Sequence, residues 1–247
     1  MRTIVIIQAR LGSSRLPGKV LEVINGKPML QHVLERAAAI PGVDGVCLTI
    51  PDTDPSKALY DVANGHYVST GPEHDVLRRY RIAAEITNAD RIVRVTADCP
   101  LLDPAVAAQV IALHDSNLTV PYVSNVYPKR TWPDGLDVEV FTKMALDNTD
   151  AMTFGRKVGT PNWAPREHPT LAMRSVYSPC LESKVDMGRL KWSVDTPEEL
   201  DFVREVMSRL PSGSYRMADT MEAIRAVGLW LRQPVSNDWQ ENNGCGM

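Results

Sequence analysis

Four consecutive apolar residues, Ile4, Val5, Ile6 and Ile7, run directly into a loop rich in Gly, Ser and basic side chains. No other junction in the chain constrains the fold as much. An unbroken apolar run at the start of a strand–helix alternation reads as a parallel strand buried on both faces. The loop carries Arg10, Gly12, Ser13, Ser14, Arg15, Pro17, Gly18 and Lys19. Small residues let a backbone approach a ligand, their N–H groups can cradle phosphate oxygens, and three cations supply the opposite charge. This reads as a polyphosphate site; the plain alternative is a surface loop whose charges face water. The spacing is not that of a Walker A loop. Gly12 and Gly18 enclose five residues, and Val20 stands where a metal-binding hydroxyl would follow Lys19. A metal bound nearby must take its protein ligands from elsewhere.

The alternation continues downstream. Leu30, Val33, Leu34, Ala37 and Ala38 recur at helical spacing, and Pro41-Gly42 ends that helix. A strand is expected over 46–50, a helix start at Asp54-Pro55, and a third strand near Tyr67-Val68. A helix begins near His74-Asp75 with Val76, Leu77, Tyr80, Ala83 and Ala84 on its apolar face. The fourth strand, 91–96, stops at Ala97-Asp98-Cys99-Pro100, and Asp103-Pro104 starts the next helix with an N-cap acceptor and Pro at N1. Such βαβ units make a mainly parallel, doubly wound sheet, whose ligands bind outside the carboxyl ends of the strands. The basic loop and Asp98 share that edge.

The second half is less regular. Strands are expected over 122–126, 137–142, 171–177 and 191–194, with a turn at 132–136 and a loop or short helix over 150–170. Thr196 and Glu199, with Pro197 between them, form a capping box for a helix carrying Leu200, Val203, Met207 and Leu210. A last helix covers 217–227. The economical organisation is one domain over 1–233 and a loose polar tail over 234–247.

Composition removes several classes of function. A net charge of −3 over 247 residues argues against a nucleic-acid binder. No apolar run approaches the ~20 residues of a membrane span. The start enters a strand without a leader pattern, so a cytoplasmic location is expected. Cys47, Cys99, Cys180 and Cys245 have no C-x-x-C spacing, which offers neither a zinc site nor a disulfide framework.

Four stretches together resemble the cytidylyltransferases of the spore-coat polysaccharide type, relatives of the CMP-KDO and acylneuraminate cytidylyltransferases. They are IIQARLGSSRLPGKVL, EHDVLRRY at 73–80, VTADCPLLDP at 95–104, and WPDGLDVEVF followed by WSVDTPEEL. The resemblance spans roughly residues 3–205. It implies a nucleotide-diphospho-sugar transferase fold, a Rossmann-like three-layer α/β/α sandwich with a mixed sheet. It implies that Arg10, Ser13, Arg15 and Lys19 bind the triphosphate of CTP, that Thr70, Gly71 and Asp75 lie near the cytosine, and that Asp98 with Asp195 holds Mg²⁺. A homodimer is implied as well, in line with the frequency of two-fold oligomers. Two departures stand out. Ala97 replaces a common Gly, and 151–165 follows no family pattern, although Arg166-Glu167-His168 looks like a family segment.

Nucleotidyl transfer is governed by positioning and by charge on the phosphoryl oxygens. The expected catalytic residues are Arg15, Lys19 and Asp98, with Gly12 and Ser14 completing the nucleotide loop. Asp98 and Asp195 each end an expected strand and suit Mg²⁺, which takes one or two carboxylates plus phosphates and waters. The plain alternatives are a turn residue before Pro100 and a residue flanking the Thr196 cap. Asp134, Asp137 and Glu139 are candidates for acceptor hydroxyls, the last two sharing one strand face, and a solvated face is the alternative. Arg166 and His168 are candidates for an anionic acceptor, or else an exposed loop. Arg78 to Arg81 read as a solvated helix face with Tyr80 half buried. Met144, Met152 and Met173 read as core, and so does Trp192.

The resulting expectation is an Mg²⁺-dependent cytidylyltransferase that joins CMP to a sugar, sugar acid or related acceptor and releases pyrophosphate. One alternative is a glycosyltransferase of related fold, against which stands the lack of a D-x-D pair around Asp98. The other is a nucleotide-binding regulator without turnover.

Overall fold

The strand that opens the chain, β1 (Thr3–Gln8), lies in the middle of a six-stranded mixed sheet. The computed structural model describes residues 1–53, 57–63, 65–156, 160, 164–226 and 228. After β1 come a single 3₁₀ turn (Lys19–Leu21), a short ribbon of β2 (Val23–Ile24) and β3 (Lys27–Pro28), and helix α1 (Met29–Ala38). Next are β4 (Gly45–Pro51), α2 (Lys57–Val62), β5 (Tyr67–Gly71), α3 (Val76–Thr87), β6 (Arg91–Thr96) and α4 (Pro104–Asp115). The second half adds β7 (Tyr122–Ser124), β8 (Glu139–Thr142), α5 (Lys143–Thr153), α6 (Ala164–Glu167), α7 (Pro197–Ser208) and α8 (Met217–Ala226).

The sheet order is β5-β4-β1-β6-β8-β7. Strands β5, β4, β1 and β6 run parallel, and β8 is antiparallel to both its neighbours. Ile4, Val5, Ile6 and Ile7 are all fully buried because both faces of β1 are covered. Ile4 and Ile6 pack with Leu77, Tyr80 and Ala83 of α3, while Val5 and Ile7 pack with Val33, Leu34 and Val93. Each such side chain stabilises the fold by about 1.5–3 kcal/mol. This is the α/β mixed-sheet architecture that the apolar runs and the resemblance pointed to.

The helix starts follow their capping chemistry. Asp103 accepts from the Ala105 and Val106 amides with Pro104 at N1, and Thr196 and Glu199 form a reciprocal capping box. Asp75 caps α3 by accepting from Arg78 N at 3.0 Å. The Asp54-Pro55 helix start, the 234–247 tail and Cys245 lie outside the described residues.

Several expectations fail, each for a local reason. Residues 171–177 form successive turns in place of a strand, their amides satisfied close by: Leu171 N by His168 O, Met173 N by Thr170 O and Ser178 N by Ser175 O. Residues 191–194 do not form a strand either; Lys191 makes an isolated bridge to Asp134. Strand β7 stops at Ser124, because the Ser124 hydroxyl takes the next amides, Val126 N and Tyr127 N. Strand β8 starts at Glu139, which leaves Asp137 in the preceding turn. Helix α5 begins at Lys143, ahead of the 150–170 stretch that reads as loop or short helix; it is nucleated by Thr142, which accepts from Ala145 N. Its outer face carries Met144 and Met152, 68% and 70% exposed, so neither is core, whereas Met173 is buried. Arg79 and Tyr80 are buried as well, since α3 packs on the sheet with the face that contains them. Among the described residues no helix is long and apolar enough to cross a membrane.

Candidate active site

The carboxyl ends of β1 and β6 open onto a cleft. The loop after β1 is held by its own backbone: the amides of Ser13 and Gly18 both donate to Leu11 O at 2.9 Å. Gly18 adopts φ 72°, the left-handed region that glycine enters without strain, and the chain turns there into the 3₁₀ turn that begins with Lys19.

Lys19 is the centre of the site. Its Nζ donates to Asp98 Oδ2 at 2.8 Å, Asp195 Oδ1 at 2.7 Å and the Val194 carbonyl at 2.7 Å. All three ammonium donors are therefore used. Asp98 arrives on the turn after β6, and Asp195 arrives from a segment 97 positions further along the sequence. That segment is anchored by Val194 N donating to Asp98 O at 2.9 Å and Trp192 N donating to Asp134 O at 2.6 Å. Gly135 makes this approach possible. A Cβ there would lie 2.7 Å from Ser193 N and from Trp192 C, and its φ is 108°.

Asp195 also accepts from Lys191 Nζ at 2.7 Å and pairs with Arg15 Nη2 at 2.9 Å. Burial alone would raise both carboxyls. The charge and hydrogen bond of Lys19 nevertheless hold Asp98 below its ordinary value, and the bonds from Lys19 and Lys191 bring Asp195 down to about 2. Burial opposes the charge on Lys19 too, but Asp98 and Asp195 outweigh it and raise the ammonium above its usual range. The corner thus holds two ionised carboxylates around one fixed cation.

The other expected residues divide between the cleft and the scaffold. Arg10, Ser13, Ser14 and Arg15 line the cleft with Lys19, Asp98 and Asp195, and His168 and Glu167 line it too. Gly12 sits in the loop, where a Cβ would approach Glu73 Oε1 to 3.8 Å. Thr70 and Gly71 end β5, paired in register with Ile50 and Pro51, and do not line the cleft. Asp75 is the α3 cap and receives Arg166 Nη2 at 2.7 Å and Nε at 3.0 Å. Arg166 also pairs with Asp150 at 2.9 Å, so it ties α6 to α3 and α5 and does not face the cleft.

The three candidate acceptor carboxylates do not face it either. Asp137 is gripped by Arg130 through bonds of 2.5 and 2.7 Å. Glu139 is buried between Arg94 and Arg174 and accepts from the Tyr122 hydroxyl at 2.6 Å. Burial would raise its carboxyl, but the two guanidiniums bring it down to about 2. Asp134 is buried 3.5 Å from Lys191; burial, helped by Asp137, pushes its carboxyl up to about 6. Cys99 is buried, and burial pushes its thiol well up.

Sequence reasoning missed Gln8, Glu73, Arg79 and Lys191, the first three on the cleft wall and the last behind Asp195. Arg79 carried a usable signal. It lies three residues after Val76 and four before Ala83, on the buried face of α3. Among the described residues no group of three or more His, Cys, Asp or Glu side chains is placed to hold a metal ion.

Residues 4–150 match the profile of a family described as Cytidylyltransferase. The 8-amino-3,8-dideoxy-manno-octulosonate cytidylyltransferase of Shewanella frigidimarina is 28% identical over 247 residues, covering 94% of this chain and 99% of that protein. A protein of the same description from Shewanella baltica is 33% identical over 190 residues, covering 72% of this chain and 74% of its own. Among solved structures, a cytidylyltransferase from Leptospira borgpetersenii serovar Hardjo-bovis aligns with a TM-score of 0.82 at 27% identity, covering 92% of this chain and 95% of that one.

Proposed function

Since this chain belongs to the cytidylyltransferase family, we propose that it moves CMP from CTP to a sugar acid of the manno-octulosonate class, with Mg²⁺ bound and pyrophosphate leaving. The acceptor class comes from what its relatives are described as using. The observation that carries the reading is the ammonium of Lys19, held between Asp98 and Asp195 at 2.8 and 2.7 Å beside the basic loop.

Phosphoryl charge is the main obstacle to such a transfer, so the work of the protein is electrostatic and positional. Arg10 and Arg15 stand on the cleft wall, where guanidinium forks can grip phosphate oxygens in bidentate fashion. The backbone of Gly12 and Ser14 offers amides to the same oxygens. Lys19 keeps both carboxylates ionised and convergent. His168, which also lines the cleft, offers a ring nitrogen to a carboxylate or hydroxyl of the acceptor.

The donor set fits Mg²⁺. Two ionised carboxylate oxygens converge on one cationic point, and a nucleotide-bound Mg²⁺ asks the protein for one or two carboxylates. Asp98 and Asp195 would hold the ion. When bound it supplies Lewis-acid polarisation of phosphoryl oxygens and a template for the leaving group.

The test is pyrophosphate release with CTP, UTP, ATP, GTP and dTTP, each run against a panel of sugar acids and phosphorylated sugars with and without Mg²⁺. Release confined to CTP, an octulosonate acceptor and Mg²⁺ is the expected result. Release with another nucleotide would overturn the base, and a protein that binds no nucleotide at all would overturn the reading.

A further inference from the structure

Helix α3 brings to the cleft a guanidinium that, among the described residues, no carboxylate pairs. Arg79 is 2% exposed and lines the cleft near Ala9 and Val76. Among the described residues its single hydrogen bond runs from Nη1 to the Ala9 carbonyl at 3.5 Å, the outer limit for such a contact, and its Nε is buried without a partner. Of the neighbouring cations, Arg15 pairs with Asp195, Lys19 with Asp98 and Asp195, and Arg166 with Asp75. A buried cation without an ion pair is costly, and burial lowers the affinity of Arg79 for its proton, with Arg10 acting in the same direction and the charges of Glu73 and Asp52 only partly opposing it. Such a group persists where a ligand supplies the missing acceptor.

Two neighbours make the same point. Gly71 is the residue that lets the stem of Arg79 pass: a Cβ there would lie 3.0 Å from Arg79 Cγ and 3.0 Å from Ile82 Cδ1. Gln8, which alternates along β1 onto the α3 side with Ile4 and Ile6, also lines the cleft, and its Oε1 is buried without a donor. One wall therefore carries an unmatched donor group and an unmatched acceptor.

We propose that Arg79 is the residue that selects the base: its guanidinium donates to the adjacent O2 and N3 acceptors of cytosine, while Gln8 Oε1 accepts from the exocyclic amine. This rests on the CTP reading above. A phosphate is a poorer occupant of this wall, because the carboxylate of Glu73 lies on it and two of the three loop cations, Arg15 and Lys19, are gathered at Asp98 and Asp195. Ala9 and Val76 offer a flat ring apolar contact instead. Uracil turns an N3–H donor toward the guanidinium, which has donors only and cannot adapt. A glutamine amide can turn over, so discrimination falls to Arg79.

The experiment is calorimetric binding of CTP, UTP and inorganic tripolyphosphate to the wild type, Arg79→Met and Gly71→Ala, without acceptor and with melting curves as a check of folding. The wild type is expected to prefer CTP over UTP. Arg79→Met should weaken CTP by roughly 10- to 100-fold, the range of one bidentate base contact, while UTP and tripolyphosphate stay within about 3-fold. If Arg79→Met fails to fold, Gly71→Ala, which displaces the stem of Arg79, should show the same selective loss. Equal loss of all three ligands would assign Arg79 to the phosphates and overturn the proposal. So would a CTP preference that survives in both variants, or a wild type that binds CTP and UTP alike. A wild type that binds none of the nucleotides fails the CTP reading itself, which distinguishes the two failures.

Discussion

Replacing Glu139 with Gln removes one negative charge from the interior and leaves the shape of the side chain nearly unchanged. The Glu139 side chain is 2% exposed, pairs with Arg94 and with Arg174 Nη2 at 3.1 Å, and accepts from Tyr122 at 2.6 Å. Burial works against the charged form, yet the guanidiniums bring the carboxyl from 4.5 to about 2. A depression of that size contributes about 3 kcal/mol to stability at neutral pH. For a carboxyl lowered by folding, that contribution is present above about pH 4.5 and is lost as pH falls through about 2. Leaving Arg94 and Arg174 short of a counter-charge brings the expected loss to about 3–5 kcal/mol. For a domain of this size the melting temperature should fall by roughly 6–20 °C. Urea unfolding and calorimetry at pH 7 measure the loss, and the deficit should shrink between pH 4.5 and 2. Kinetics well below the melting temperature should show an unchanged KM for the acceptor. A variant as stable as the wild type but with a raised acceptor KM would refute the reasoning and return Glu139 to the substrate.

Lys19→Met removes the ammonium shared by Asp98 and Asp195, and pyrophosphate release should fall at least about 10²-fold, as for loss of one preorganised donor. Asp195→Asn should abolish nearly all turnover in the same assay while CTP binding, followed by calorimetry, persists. Asp134 is raised by folding from 3.8 to about 6, so the native state binds more protons and stability falls as pH rises across that interval. Asp134→Asn should therefore gain about 1–2 kcal/mol in urea unfolding at pH 7.5 and nothing near pH 4, Lys191 at 3.5 Å limiting the gain. Gly135→Ala puts a Cβ 2.7 Å from the Ser193 amide at φ 108° and should cost more than about 2 kcal/mol in the same unfolding experiment, with a fall in kcat because the segment that carries Asp195 shifts.

The parallel half of the sheet was legible because its signals are local. Ile4 to Ile7 have no polar residue to alternate with, and Asp103-Pro104 and Thr196-Pro197 are helix starts by capping chemistry alone. The second half was less so, because its backbone is satisfied by contacts between distant positions. The turn at Asp134 is completed by Leu190 and Trp192, and β7 is extended by an isolated bridge to Cys180. The loop cations were readable from residue type and Asp98 from the end of β6, whereas Asp195, which follows no strand, was marked by the family resemblance. The fates of Glu139, Asp137 and Arg166 were not. Whether a charged residue serves a ligand or an internal partner depends on which other charge the fold places opposite it, and Arg174, Arg130 and Asp150 are 35, 7 and 16 positions away. Arg79 lies in the 78–81 run that reads as a solvated helix face, although its spacing from Val76 and Ala83 puts it on the buried face of α3, and among the described residues the fold gives it no ion pair.

The cleft also separates two kinds of cation within one loop. Lys19 is pinned by three hydrogen bonds in a buried corner, so moving it would leave two carboxylates unbalanced. Arg15 is 60% exposed on its side chain and touches the same Asp195 from outside; an exposed pair of that kind is worth about 0–1 kcal/mol. A phosphate can therefore draw Arg15 from Asp195 at little cost, whereas Lys19 stays. The loop needs both behaviours. A triphosphate brings about four negative charges to a corner whose carboxylates already engage Lys19 and Lys191, and the weakly held Arg15, with Arg10 on the same cleft, is placed to answer it. The remaining charge is what makes a divalent ion on Asp98 and Asp195 the natural complement of the proposed substrate, since it adds two positive charges at the one place where ionised oxygens already converge.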